Sequence, residues 1–140
     1  MARKSDLWDR LHAAMSGQDL EGVVSMFAPD GVYTTYGVRH VGRDGIREWL
    51  GGFLYAFSDV RFDTSVVVED GDVTIAEWRW HGVQSGPLTM PGGSVLPPSG
   101  RVLEGPGVTV LRTSDGLITQ ARDYSDQREE LAQLGVLRHG

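Results

Sequence analysis

The sequence predicts an α+β fold in which a curved, mostly antiparallel sheet wraps as a conical barrel over three N-terminal helices. Apolar residues recur at helical spacing in three stretches before Asp59. From Asp59 the period changes to two and holds almost to the end of the chain. Turn signals at Asp70-Gly71 and Ser114-Asp115-Gly116 cut that second half into hairpins.

The first helix is expected from Ser5 to Ser16, with Leu7, Leu11, Ala14 and Met15 as its apolar stripe, Trp8 widening it and Gly17 as the stop. A short second helix follows, capped by Asp19, with Leu20, Val23, Val24 and Phe27 inward and Pro29 closing it. Val32 to Tyr36 form a short first strand between Asp30-Gly31 and Gly37. The third helix begins near Asp44, where Ile46, Trp49, Leu50, Phe53, Leu54 and Phe57 repeat at i, i+3, i+4, i+7, i+8 and i+11. Gly51-Gly52 inside it suggests close packing or a bend, because each glycine costs about 1 kcal/mol against alanine.

The strand from Asp59 carries Val60, Phe62, Thr64, Val66 and Val68 on one face. Its partner from Val73 to Val83 puts Thr74, Ala76, Trp78, Trp80 and Gly82 on one face. Residues 85 to 100 hold four of the six prolines and are expected to form a long irregular loop. A strand resumes from Arg101 to Arg112, with a bulge expected at Gly105-Pro106-Gly107 since proline cannot donate to a ladder. The last strand runs through GLITQARDYSD, and a closing helix from Asp126 to Leu134 ends at Gly135.

A chain of 140 residues fits a single domain spanning 1–140. A net charge of −6 with no basic block argues against a nucleic-acid surface and gives anionic membranes little to attract. With no cysteine, disulfides, thiolate metal sites and cysteine nucleophiles are excluded. No apolar run resembles a signal peptide or a membrane span, so a cytoplasmic location is expected. The histidines at 12, 40, 81 and 139 are isolated, which leaves no metal-ligand spacing. His12 is expected to be solvated, and His81 to be a buried or interface residue instead of a catalyst.

In the last strand Leu117, Thr119, Ala121 and Asp123 share one face, a mild surface ending in an acid. Such a face suits the lining of a cavity; the alternative is a solvated acid at a strand end or one paired with Arg79. The inward faces bring Tyr33, Thr35, Trp78, Trp80 and Asp123 toward one space. Tyr36 and His40 lie either at its mouth or on ordinary surface, and the two indoles serve as pocket or core filling. In an apolar cavity the carboxyl of Asp123 would rise toward working pH and could take a proton from a carbon beside a carbonyl. Tyr33, or the indole N–H of Trp78 or Trp80, would then meet the enolate oxygen.

The stretches MFAPDGVYTTYG, GRDGIREWL, AEWRWHG, PPSGR and DGLITQARDYSDQREELAQLG together resemble the nuclear-transport-factor-2-like superfamily. Within it the chain is similar to the SnoaL-like polyketide cyclases and to the related limonene epoxide hydrolases and ketosteroid isomerases, from about Leu7 to Leu137. The resemblance implies a deep apolar pocket for a hydrophobic small-molecule substrate, no cofactor, and a homodimer formed through the sheet. By position, Asp123 matches the acid that the epoxide hydrolases use as a base on water, and Tyr33 their water-holding tyrosine. Thr35 stands where they have an asparagine, and Trp78 and Trp80 stand where they have an arginine and an aspartate. The expected function is therefore cofactor-independent cyclisation or isomerisation by proton transfer at Asp123, with Tyr33 assisting and Thr35, Trp78, Trp80, Tyr36 and His40 binding substrate. The alternatives are an epoxide hydrolase with an altered acid partner and a non-catalytic ligand-binding or dimerisation module.

Overall fold

A computed structural model of the chain describes residues 4–90 and 92–136, with side chains from Asp6 onward. Leu137, where the resemblance ends, and His139 lie outside the described residues. Helices α1 (Lys4–Ser16), α2 (Leu20–Ser25) and α3 (Gly42–Ala56) precede most of the sheet, and α4 (Gln127–Gln133) follows it. The strands are β1 (Phe27–Thr35), β2 (Val38–Val41), β3 (Phe57–Asp70), β4 (Val73–Gln84), β5 (Leu88–Thr89), β6 (Val95–Leu96), β7 (Val102–Ser114) and β8 (Leu117–Ser125). Six of them form one sheet in the order β2-β1-β8-β7-β4-β3, antiparallel throughout except where β1 runs parallel to β8. The curved α+β architecture follows the sequence; the barrel does not close, because β2 and β3 remain as its two edges.

The buried faces explain why each element forms. Leu7, Trp8, Leu11 and Met15 of α1 are all under 9% exposed, and Trp8 Nε1 donates to Thr64 Oγ1 at 3.0 Å, fixing the helix to β3. Asp19 caps α2 by accepting from the Gly22 amide at 3.0 Å. In α3, Ile46, Leu50, Leu54 and Ala56 are buried. The Gly51-Gly52 pair does not pack tightly: a Cβ on Gly51 would meet only Leu20 at 3.6 Å, and one on Gly52 would meet nothing within 4 Å.

Phe27 and Pro29, expected in and at the end of α2, lie in β1, and Phe57, expected in the stripe of α3, begins β3. Three further expectations change within the sheet. β3 runs beyond the core after Thr64, so Val66, Val67 and Val68 are 47%, 36% and 53% exposed on both faces while Val60 is 2% exposed. An irregularity between Arg112 and Thr113 leaves Thr119 as an extra residue on β8. Ile118 is therefore fully buried in place of Leu117 and Thr119, while Ala121 and Asp123 still face inward. The bulge expected at Gly105-Pro106-Gly107 is absent, since β4 and β7 keep one register from Val73↔Arg112 to Val83↔Val102.

Gly107 has a different task there. A Cβ on it would sit 2.2 Å from the Trp78 ring, and one on Gly82 would sit 2.7 Å from the Trp80 ring, so each indole lies flat over a glycine. The long loop is also more ordered than its composition suggests. Its β5-β6 hairpin is tied to the buried Gln84 side chain, which donates to Gly86 O at 3.1 Å and Pro97 O at 3.0 Å and accepts from Ser99 Oγ at 2.5 Å.

Gly107→Ala should cost about 1–3 kcal/mol, because the Trp78 ring must leave its rotamer or the strands must part. Gly105→Ala, which meets nothing within 4 Å, should stay within about 0.5 kcal/mol of the parent. Urea denaturation of the two variants checks this.

Candidate active site

The inner face of the sheet and the first two helices enclose a narrow cavity lined by Leu11, His12 and Met15 of α1, Val23 of α2, and Phe27, Tyr33, Phe62, Trp78, Thr109, Leu111, Ala121 and Asp123 of the strands. Its volume, measured as the room open to the centres of water molecules, is about 30 Å³. One water needs roughly 10–15 Å³ in that measure, so about two would fit. The cavity is narrower than the resemblance implies because the rings of Phe27, Phe62, Trp78 and His12 crowd into it.

The polar atoms of this cavity converge on Asp123. Thr109 stands directly opposite it on β7 and donates from Oγ1 to Asp123 Oδ1 at 2.7 Å. The Trp78 indole donates to Thr109 Oγ1 at 2.8 Å, and Tyr33 donates its hydroxyl to Asp123 Oδ2. The carboxyl thus receives on both oxygens, and its acceptors are supported from β4, β7 and β1. Burial raises it to about 6; the Tyr33 and Thr109 hydrogen bonds oppose that rise, and the charge of Glu130 adds to it. Burial, with the neighbouring carboxylate second, raises the Tyr33 hydroxyl well above its ordinary value, so it stays a donor.

Of the residues singled out from the sequence, Asp123, Tyr33 and Trp78 share this cavity. Thr35 and Trp80 are buried at 4% exposure but outside its lining. Trp80 instead packs between Phe53 and Phe57, at ring-centroid distances of 5.6 and 5.5 Å. Tyr36 and His40 also lie outside the lining, each against Trp49, with centroids 6.4 and 5.4 Å away.

Besides Thr109, two residues in or beside the site escape the sequence reading. Glu130, on α4, is only 5% exposed. It accepts from Tyr36 at 2.6 Å and is also hydrogen-bonded by Ser125 and Trp80. Burial raises its carboxyl, against the pull of those three donors. Its signal was present: Glu130 lies four residues before the buried Leu134, hence on the same helix face.

His12 is the second, and it overturns the expectation of a solvated side chain. Both ring nitrogens are buried and have no hydrogen-bond partner among the described residues. The ring lies between Trp8 and Phe62, with centroids 3.9 and 4.3 Å away. Desolvation lowers the imidazole to about 3, so it is neutral at ordinary pH. Trp8, Leu11, His12 and Met15 fall at i, i+3, i+4 and i+7, a second stripe that places the histidine inward.

The SnoaL-like domain profile matches residues 8–121. The chain belongs to the SnoaL-like family. No curated protein sequence matches it. Among solved structures it is similar to IdmH of Streptomyces antibioticus, a candidate polyketide cyclase, with 27% identity, TM-score 0.76, and 96% of this chain and 100% of that one covered. It is also similar to a protein of Catenulispora acidiphila with a ketosteroid isomerase-like fold, solved with trimethylamine, at 26% identity and TM-score 0.75, covering 93% and 92% of the two chains. At 23% identity, AclR of Streptomyces galilaeus, a candidate hydroxylase, shares the fold with TM-score 0.80 over 96% of each chain. The sheet and helix arrangement of this SnoaL-like chain is thus that of the nuclear-transport-factor-2-like group. No helix among its described residues is long and apolar enough to cross a membrane.

A buried donor and acceptor left unpaired cost about 1–3 kcal/mol. His12→Leu, which keeps the apolar contacts and removes both nitrogens, should therefore unfold at higher urea than the parent; an equal or lower midpoint would show that the imidazole is structurally required.

Proposed function

We propose that this SnoaL-like protein is a cofactor-independent enzyme that cyclises or isomerises a hydrophobic, cyclic or polyketide-like ketone by proton transfer at Asp123. One observation carries the reading: a carboxyl buried beside an apolar cavity, held in place by Thr109 and Tyr33 and raised to about 6. Such a group is ionised at neutral pH and still basic enough to take a proton from carbon. The names of the solved relatives, among them a candidate polyketide cyclase, support the same class.

Proton transfer runs within the site. The Asp123 carboxylate removes a proton from the carbon beside the carbonyl, and the C–H electrons move into a carbon–carbon double bond as the carbonyl electrons move onto oxygen. Return of that proton to another carbon gives an isomer. Attack of the enolate carbon on a second carbonyl closes a ring, and the proton on Asp123 then goes to the new alkoxide. Both outcomes are redox-neutral. The two raised carboxyls, Asp123 and Glu130, make the site unfavourable to an anionic substrate. A ketone, larger than the space for two waters, enters only when the wall of the cavity moves.

The space for about two waters beside Asp123 favours one second reading, in which the carboxylate activates water to open an epoxide. Oxygen-labelled water separates the two: incorporation of label into a diol marks the hydrolase, and unlabelled rearranged product marks the isomerase or cyclase.

Asp123→Asn should fold normally and lose about 10²–10⁴-fold in the rate of α-proton exchange from cyclohexanone in deuterated water, followed by NMR. Undiminished exchange would remove Asp123 from the mechanism, and absence of exchange in the parent would favour a binding module. The rate should rise with pH through about 6 and level off above it, since the active form is the carboxylate. Tyr33→Phe removes a hydrogen bond that holds the carboxyl down, so the midpoint of that profile should move to higher pH.

A further inference from the structure

The donors expected to stabilise an enolate are already engaged. Tyr33 gives its proton to Asp123, Trp78 gives its indole proton to Thr109, and Thr109 gives its own to Asp123. Trp80 lies outside the cavity and is hydrogen-bonded to Glu130. Every donor on the cavity wall thus points toward the base or toward a group that serves it, except one.

That exception is His12. It is a cavity-lining side chain with both ring nitrogens buried and neither hydrogen-bonded among the described residues. One nitrogen of a neutral imidazole carries a proton. The ring is clamped between Trp8 of its own helix and Phe62 of β3, at 3.9 and 4.3 Å between centroids, which fixes its orientation in the closed site. A fixed donor in a cavity with room for only about two waters is most effective where negative charge develops during reaction.

We propose that His12 is a catalytic residue whose neutral imidazole N–H binds the carbonyl oxygen of a ketone substrate and stabilises the enolate oxygen. This rests on the assignment of Asp123 as the base. The oxygen sits on the α1 side of the cavity and the carbon that loses its proton sits on the β8 side. The imidazole lends a hydrogen bond and keeps its proton; the proton transferred travels only between carbon and Asp123. The site therefore selects ligands with a carbonyl set in an apolar ring or chain, and offers no hydrogen bond to a hydrocarbon.

The test uses cyclohexanone labelled at its carbonyl carbon, with the parent protein, His12→Leu and His12→Gln, the last replacing the imidazole by an amide that also donates. Infrared spectra of the bound ketone should show the carbonyl stretch lowered in the parent and in His12→Gln, and close to its value in apolar solvent in His12→Leu. The imidazole nitrogen signals of His12 should shift on addition of the ketone. His12→Leu should lose about 10²-fold in the turnover rate of α-exchange, as expected for loss of a single oxyanion donor, with a smaller change in KM, and His12→Gln should recover part of it. A carbonyl stretch identical in the parent and His12→Leu, with exchange still dependent on Asp123, would overturn the role of His12 and leave the base in place. Exchange unaffected by Asp123→Asn while the stretch still depends on His12 would instead overturn the base and leave a carbonyl-binding site. No saturable binding of the ketone by the parent would overturn the proposal outright.

Discussion

The carboxyl of Asp123 is the constraint on which the interior depends. A buried acid without partners is costly, and this one is kept by hydroxyls from two neighbouring strands, Thr109 on β7 and Tyr33 on β1. Thr109 is itself held by the Trp78 indole of β4. The chain of bonds crosses four adjacent strands of the sheet, so the position of the acid is fixed by the register of the whole central sheet and not by its own strand alone. Trp78 can join only because Gly107 leaves room beneath its ring. A residue with no chemistry of its own thereby decides where the base points.

A second carboxyl repeats the arrangement a short way off. Tyr36 follows Tyr33 by three residues and donates to Glu130 as Tyr33 donates to Asp123. The two tyrosines reach different acids because β1 ends at Thr35 and the chain turns with φ values of 53° and 76° at Tyr36 and Gly37. Both acids are raised chiefly by burial, and the charge of Glu130 adds to the rise of Asp123. The charge of Glu130 thus helps keep a proton on Asp123 below about pH 6.

The price of this site in stability falls on α1. His12 occupies a position where leucine would pack, and its two unpaired nitrogens lower the stability of the empty protein. Destabilising polar groups in an otherwise apolar cavity are frequent where a ligand supplies the missing partner. The narrow cavity follows from the same packing, since the rings of His12, Phe27, Phe62 and Trp78 meet there.

The sequence by itself determined that three helices precede the long strands, and most of their inward residues. Apolar spacing fixed α1, α2 and α3, since a stripe at 3.6 residues has one stable use in water, and alternation put Trp78 and Trp80 on the buried face of β4. It also singled out Asp123, an acid ending an inward face. Only the tertiary structure decided where alternation fails. The extra residue at Thr119 turned Ile118 inward, because a bulge resets parity without leaving a mark in composition, and the end of β3 lies beyond the core with both faces exposed. The partners of the acid were likewise hidden. Thr109 and Asp123 are brought together by register across a hairpin, and His12 by the meeting of a helix with the sheet. Local sequence sets which face a side chain takes, and only the packing of distant elements decides what it finds there.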